Sequence, residues 1–185
     1  VRSVRDRGIA HCIFYAFSTE NWNRSDKEIE TLMDLFGNTL KRTDFFEKQK
    51  IRVKFIGEKE RFSKSIRKSM DEMEKVTKKY NKTTLFIALS YGGRAEIIFA
   101  VNNLLEKKVK NISEQEFSSH LWTKNIPDPD LIIRTGGEKR LSNFLPWQSV
   151  YSELFFVDTY WPAFTKREFK SILAEYRIIE KRRGR

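Results

Sequence analysis

A chain of 185 residues, 39% hydrophobic and 33% charged, is long enough to bury a core and too apolar to be disordered. No run approaches the ~20 apolar residues of a membrane span. The single cysteine, Cys12, excludes an internal disulfide framework and a Cys-based zinc site, and it fits a reducing compartment. The net charge of +11 attracts anionic partners: nucleic acid, acidic lipid or phosphorylated substrates. No signal peptide is visible, and the chain opens at Val1 rather than Met, so a preceding segment is expected.

Ile9 to Phe17 reads as a buried strand, with Cys12 in its core. Ser25 and Glu28 have capping-box spacing and open a helix with the stripe Ile29, Leu32, Met33, Phe36 and Leu40. Ile51 to Ile56 alternates apolar and basic residues, a second strand that stops at Gly57. Phe62, Ile66, Met70, Met73, Val76 and Tyr80 mark a second helix. Thr84 to Leu89 is almost continuously apolar, as in a strand covered on both faces. Gly92-Gly93 turns into a helix carrying Ile97, Ile98, Val101, Leu104 and Leu105. Ser113 with Glu116 caps a short helix, and Leu131–Ile133 and Leu154–Val157 are short strands. Thr165 with Glu168 opens the last helix, with Phe169, Ile172, Leu173, Tyr176 and Ile179 inward. There is no repeat and no linker. The alternation predicts one α/β domain over 1–185, a mainly parallel central sheet with helices on both faces. Such sheets bind ligands beyond the carboxyl ends of their strands, so the loops from Ser18, Ser90 and Arg134 matter most.

Ser18, Thr19, Glu20, Asn21, Trp22, Asn23 and Arg24 form a dense polar cluster at a strand end. Ser25 already supplies a helix cap, which leaves the others surplus to capping and available for function. Ser90-Tyr91-Gly92-Gly93-Arg94 reads first as a tight turn in which glycines allow positive φ. Between Pro127 and Glu153 the chain is richest. Arg134, Gly136, Gly137, Arg140 and Ser142 suit a diphosphate: arginine forks pair with phosphate oxygens, and glycines let backbone N–H groups approach. No GK[ST] follows, so this is not a Walker loop. Glu153 suits either Mg²⁺ or an arginine partner. Asp128 and Asp130, flanked by prolines, read as turn caps, and His11 and His120 as ordinary residues.

The segments YAFSTENWNR (Tyr15–Arg24), SYGGRAEI (Ser90–Ile97), DLIIRTGGEKRLSNFLPWQSVYSELFF (Asp130–Phe156) and DTYWPAF (Asp158–Phe164) closely resemble the cis-prenyltransferases, with an undecaprenyl diphosphate synthase-like pattern. The resemblance runs through essentially the whole chain in order. It implies a parallel-sheet fold, a homodimer, cytoplasmic location at or near the inner membrane face, and Mg²⁺-dependent chain elongation. Isopentenyl diphosphate would add repeatedly, with Z geometry, to an allylic diphosphate such as farnesyl diphosphate. Arg134, Arg140, Leu141 and Ser142 would hold isopentenyl diphosphate, and Glu153 would ligate Mg²⁺. Ser18, Thr19, Glu20, Trp22 and Arg24 would line the substrate site, with Asn21 at the family's proton-acceptor position. A neutral amide is a poor base, so chemistry gives Asn21 an orienting role, with a diphosphate oxygen taking the proton. The closing Arg182-Arg183-Gly184 resembles a tail that completes the site in dimers. The family's opening strand and HxAxIMDGNxRWA diphosphate loop are absent here, so the sequence begins inside the fold.

The charge also admits a nucleic-acid binder, but no such motif is readable. A non-catalytic, regulatory prenyltransferase-like subunit is the stronger alternative. Such subunits usually lose the phosphate-holding residues, and Arg134, Arg140, Ser142 and Glu153 are all present.

Overall fold

The computed structural model describes residues 1–179. The Arg182-Arg183-Gly184 ending lies outside the described residues. The chain divides into two compact units, Val1–Asn125 and the segment from Ile126 onward.

The first unit runs α1 (Arg2–Arg5), β1 (His11–Ser18), a 3-10 turn (Thr19–Asn23), α2 (Asp26–Leu40), α3 (Thr43–Gln49) and β2 (Arg52–Ile56). A second 3-10 turn (Lys59–Arg61), α4 (Lys64–Thr77), β3 (Thr84–Tyr91), α5 (Gly93–Glu106) and α6 (Glu114–Ser118) complete it. Its sheet has the order β1-β3-β2, and both pairings are parallel, with Thr84 opposite His11 on one side and Arg52 on the other. Parallel neighbours need crossovers, which α2 with α3, and then α4, provide. All three strands therefore end on one edge, at Ser18, Ile56 and Tyr91.

The central strand β3 is buried almost throughout, matching its unbroken apolar run. Its Leu85 and Leu89 join Phe17, Val53, Phe55, Phe62, Met70 and Met73 in one core. Along α4 the buried face continues to Thr77 rather than Val76 and Tyr80. The reason is the outer edge of β2, whose N–H groups need acceptors. Val53 N–H donates to Thr77 Oγ1 at 3.0 Å, and Phe55 N–H donates to Glu74 Oε1 at 2.8 Å. Leu32, Met33, Phe36 and Phe45 are half-buried against this core.

Helix α5 departs from its apolar pattern. Its buried positions are Gly93, Glu96, Ala100 and Leu104. Ile98, Val101 and Leu105 face outward at 59%, 38% and 68% exposure. Glu96 is tolerated inside because its carboxylate is saturated with donors. It accepts from Tyr91 Oη at 2.6 Å, and from Thr123 N–H and Oγ1 at 2.8 Å each.

The second unit contains β4 (Leu131–Thr135), β5 (Glu153–Val157), a 3-10 turn (Trp161–Ala163) and α7 (Lys166–Ile178). The two strands pair in parallel, Leu131 opposite Glu153 and Arg134 opposite Phe156. Thr165 and Glu168 cap α7 reciprocally, as their spacing predicts. Ile132, Leu145 and Ile172 are buried.

Candidate active site

At the carboxyl edge of the first sheet, the Ser18–Arg24 cluster folds as a capped 3-10 turn. Ser18 N–H donates to Asn21 Oδ1 at 2.8 Å. Ser18 and Asn21 thus hold their own turn. Ser25 caps α2 as expected, but Ser18 and Asn21 are not surplus to capping, since they cap a turn of their own. The Asn21 amide oxygen is engaged by the Ser18 N–H, and its amide hydrogens have no bonded partner among the described residues. Thr19 Oγ1 donates to the Glu20 carboxylate at 3.2 Å. Burial, and then the Glu20 charge, push the Tyr15 phenol up to about 12. That phenol stays protonated and donates to the Tyr91 carbonyl at 3.1 Å. Arg24 meets Glu28 at 3.8 Å on an exposed face, a pair that constrains little.

Trp22 turns inward. Its indole N–H donates to Ser90 Oγ at 2.8 Å, and its ring packs 5.0 Å from Phe17 and 5.4 Å from Phe62. The Arg61 guanidinium lies 4.8 Å from the centre of the Trp22 ring. Ser90 is fully buried with φ +48°. The left-handed residue here is therefore Ser90 and not a glycine: Gly92 is extended, with φ −157°, and Gly93 starts α5. Beneath this bend Gly57 has φ +114°, and a Cβ there would sit 2.1 Å from the Leu89 carbonyl oxygen.

The second unit carries the arginine loop. Between β4 and β5, left-handed backbone recurs at Gly136, Gly137, Ser142, Asn143 and Leu145. A left-handed non-glycine residue costs about 1–3 kcal/mol and persists where its surroundings enforce it. Buried Leu145 anchors this segment, and Phe144 N–H donates to the Leu141 carbonyl at 3.1 Å. The glycine amides are not open to a phosphate. Gly136 N–H donates to Thr159 O at 3.0 Å, and Gly137 N–H to Val157 O at 2.9 Å. The glycines turn the chain; the side chains are what remain for an anion. Arg134 donates to the Arg140 carbonyl and, at 2.6 Å, to Ser142 Oγ. The Arg140 guanidinium pairs with Glu138. Half-buried Arg134, near the end of β4, is thereby tied to exposed Arg140 and Ser142 on the loop that follows, with Leu141 half-buried between those two.

Glu153 is placed differently. Partners across a parallel ladder point the same way and neighbours alternate, so Glu153 leaves with Leu131 from one face, and Arg134 with Phe156 from the other. Three rungs, about 10 Å, separate the two backbone positions. The Glu153 carboxylate has no ion pair among the described residues. No three carboxylate, histidine or cysteine side chains cluster to hold a metal among the described residues. The donor set fits Mg²⁺ only as an ion that takes one carboxylate, its own waters and substrate phosphate oxygens, which is a common arrangement for Mg²⁺.

Other candidates are structural. Burial pushes the Cys12 thiol up to about 11, so it is inert at neutral pH. His120 is buried; the Lys107 ammonium donates to Nε2 at 3.2 Å, which leaves Nδ1–H for the Glu116 carbonyl at 3.0 Å. The reading of strand ends overlooked β2, whose end supplies Glu58 and Arg61. A glycine directly after a strand, followed by charged residues, was the available signal.

A parallel α/β protein with a cationic loop suited to a phosphorylated substrate is what fold and site define. The family model described as "Putative undecaprenyl diphosphate synthase" matches residues 1–184, so the chain belongs to the cis-prenyltransferase family. An isoprenyl transferase of Thermotoga maritima is 44% identical over 96% of this chain and 78% of its own length. A geranylgeranyl-diphosphate-specific tritrans,polycis-undecaprenyl-diphosphate synthase of Pyrococcus furiosus is 47% identical over 100% of this chain and 74% of its own. The crystal structure of lavandulyl diphosphate synthase from Lavandula x intermedia, in complex with dimethylallyl diphosphate, superposes with a TM-score of 0.92. That match has 29% identity and covers 99% of this chain and 82% of the other.

Proposed function

We propose that this prenyltransferase elongates an allylic diphosphate with isopentenyl diphosphate to give a long-chain Z-polyprenyl diphosphate of the undecaprenyl type, with farnesyl diphosphate as the starter. The observation that carries the reading is the gathering of Arg134, from the end of β4, with Arg140 and Ser142 of the strained loop that follows. Guanidinium forks match phosphate oxygens, and each charged hydrogen bond contributes about 1.5–3 kcal/mol. Three or four of them hold a diphosphate at about micromolar affinity.

In the reaction a carbon–carbon bond forms between the two substrates, the C–O bond of the allylic substrate breaks to release its diphosphate, and one proton is lost from the isopentenyl unit. Arg134, Arg140, Leu141 and Ser142 hold the isopentenyl diphosphate. Ser18, Thr19, Glu20, Trp22 and Arg24 line the allylic side. Asn21 orients substrate through its amide hydrogens, and a diphosphate oxygen receives the proton. Glu153 would hold Mg²⁺, which, when bound, neutralises diphosphate charge. The half-buried apolar side chains Leu32, Met33, Phe36 and Phe45 offer a wall for the lengthening tail. Each five-carbon unit buried contributes roughly 4 kcal/mol.

The outward Ile98, Val101 and Leu105 of α5 support a homodimer, since a second copy would cover them. No helix among the described residues is long and apolar enough to cross a membrane. Peripheral membrane association on the cytoplasmic face is proposed from charge: +11 of net charge favours an anionic surface, at about 1 kcal/mol per nearby Lys or Arg.

The test supplies labelled isopentenyl diphosphate and Mg²⁺ with either farnesyl or geranylgeranyl diphosphate, then sizes the products. Long labelled products from farnesyl diphosphate support the reading. Products from geranylgeranyl diphosphate alone overturn the starter, and no labelled polyprenyl product with either overturns the function.

A further inference from the structure

Glu58, Arg61 and Ser90 close a ring around Trp22. The indole N–H donates to Ser90 Oγ at 2.8 Å, and that hydroxyl donates onward to Glu58 Oε2 at 3.4 Å. Glu58 meets Arg61 at 3.6 Å, and Arg61 returns to the Trp22 face at 4.8 Å. The backbone repeats the link, because Glu58 N–H donates to the Ser90 carbonyl at 3.1 Å. These residues come from the ends of all three strands of one sheet. The ladder shifts register between Tyr15 and Phe17 and again between Phe17 and Ser18, opposite the end of β3. Ser90 holds its left-handed φ there, fully buried. A buried polar residue in a costly backbone conformation is retained where it re-aims a side chain. Its hydroxyl is aimed at Trp22.

We propose that Ser90, Glu58 and Arg61 are positioning residues, which fix the Trp22 indole and with it the Ser18–Arg24 turn in one substrate-competent arrangement. The inference rests on the reading of that turn as part of the substrate site. A turn held in its binding conformation binds at full affinity; a loosened one binds in proportion to the fraction correctly placed. Loss of the ring therefore raises KM for the allylic diphosphate about tenfold and leaves kcat at saturation within about twofold. A merely structural role would lower thermal stability and leave KM alone.

The experiment labels the chain with 5-fluorotryptophan and assigns the Trp22 fluorine resonance with Trp22→Phe. Arg61→Met keeps the stem and removes the charge, Ser90→Ala removes the hydroxyl, and Arg61→Lys restores a cation over the ring. Arg61→Met and Ser90→Ala should shift and broaden the Trp22 resonance and raise KM for the allylic diphosphate, with Arg61→Lys recovering most of both. An unmoved Trp22 resonance in both variants overturns the proposal, as does a moved resonance with unchanged KM. If the unaltered protein elongates no allylic diphosphate, the transferase reading fails, and the fluorine spectra alone decide whether the ring positions Trp22.

Discussion

At the carboxyl edge of the β1-β3-β2 sheet, polar side chains are largely committed to one another: Asn21 to the Ser18 amide, Trp22 to Ser90, Tyr15 to the Tyr91 carbonyl. In the loop after β4 the backbone does that work, through five left-handed residues and two glycine amides bonded to β5 and the residues just beyond it. Its charged groups stay at the surface. The first region is preorganised by side chains and can lose shape through any of them. The second keeps its shape through the main chain and one side chain, Arg134, and can lose the charge of Arg140 without losing form.

The largest expected effect breaks the first region from beneath. Gly57→Ala forces a methyl carbon to 2.1 Å from the Leu89 carbonyl and should destabilise the protein by more than about 4 kcal/mol, read as a lower urea midpoint. Next come the arginines. Arg134→Ala and Arg140→Ala should each lower kcat/KM for isopentenyl diphosphate by about 100- to 1000-fold. They also sharpen the contrast. Arg134→Ala should depress Tm, because it removes the donor to Arg140 O and Ser142 Oγ. Arg140→Ala should leave Tm within about a degree, since its partner Glu138 is an exposed one. Equal Tm losses would contradict this division.

Glu153→Ala should raise the Mg²⁺ concentration for half-maximal rate by about tenfold. A normal Mg²⁺ titration would remove Glu153 from the metal. The smallest effect belongs to a cap. Thr165→Ala should lower Tm by about 2–4 °C. The hydroxyl of Thr159, then the N–H and hydroxyl of Thr165, hold the Glu168 carboxyl below the ordinary range. A depressed carboxyl stabilises the fold above its unfolded pKa of about 4.3, and that contribution disappears as pH falls through the folded value. Glu168→Gln should flatten the decline in Tm between pH 5 and pH 3; an unchanged slope would count against the cap.

The elements were legible where period and cap chemistry coincide. Ser25 with Glu28 and Thr165 with Glu168 start helices as their spacing predicts, and β2 and β3 begin within a residue of their apolar runs. Helix α3 was missed because Phe45 and Phe46 gave no period over so short a span. Helix α5 misled because its buried face uses Glu96 and Ala100 beside Leu104, while Ile98, Val101 and Leu105 turn outward. At the site, the cationic pair Arg134 and Arg140 was legible because charge declares itself in sequence, and the fold joins Arg134 to Arg140 O and Ser142 Oγ. The destination of the glycine amides was not legible, because hydrogen bonds to Val157 and Thr159 depend on where β5 lies. Glu58 and Arg61 carry a signal in sequence, charged residues after the glycine that ends β2, but their meeting with Trp22 depends on the fold.

The enclosed Glu96 carboxylate has a consequence for exchange with solvent. Thr123 follows α6 in irregular chain, where amide hydrogens normally trade with deuterium quickly. Its own amide is instead clasped by an acceptor with no exposure, at 2.8 Å. In deuterium oxide that proton should persist for as long as those of β3, an island of slow labelling within a segment that otherwise labels fast.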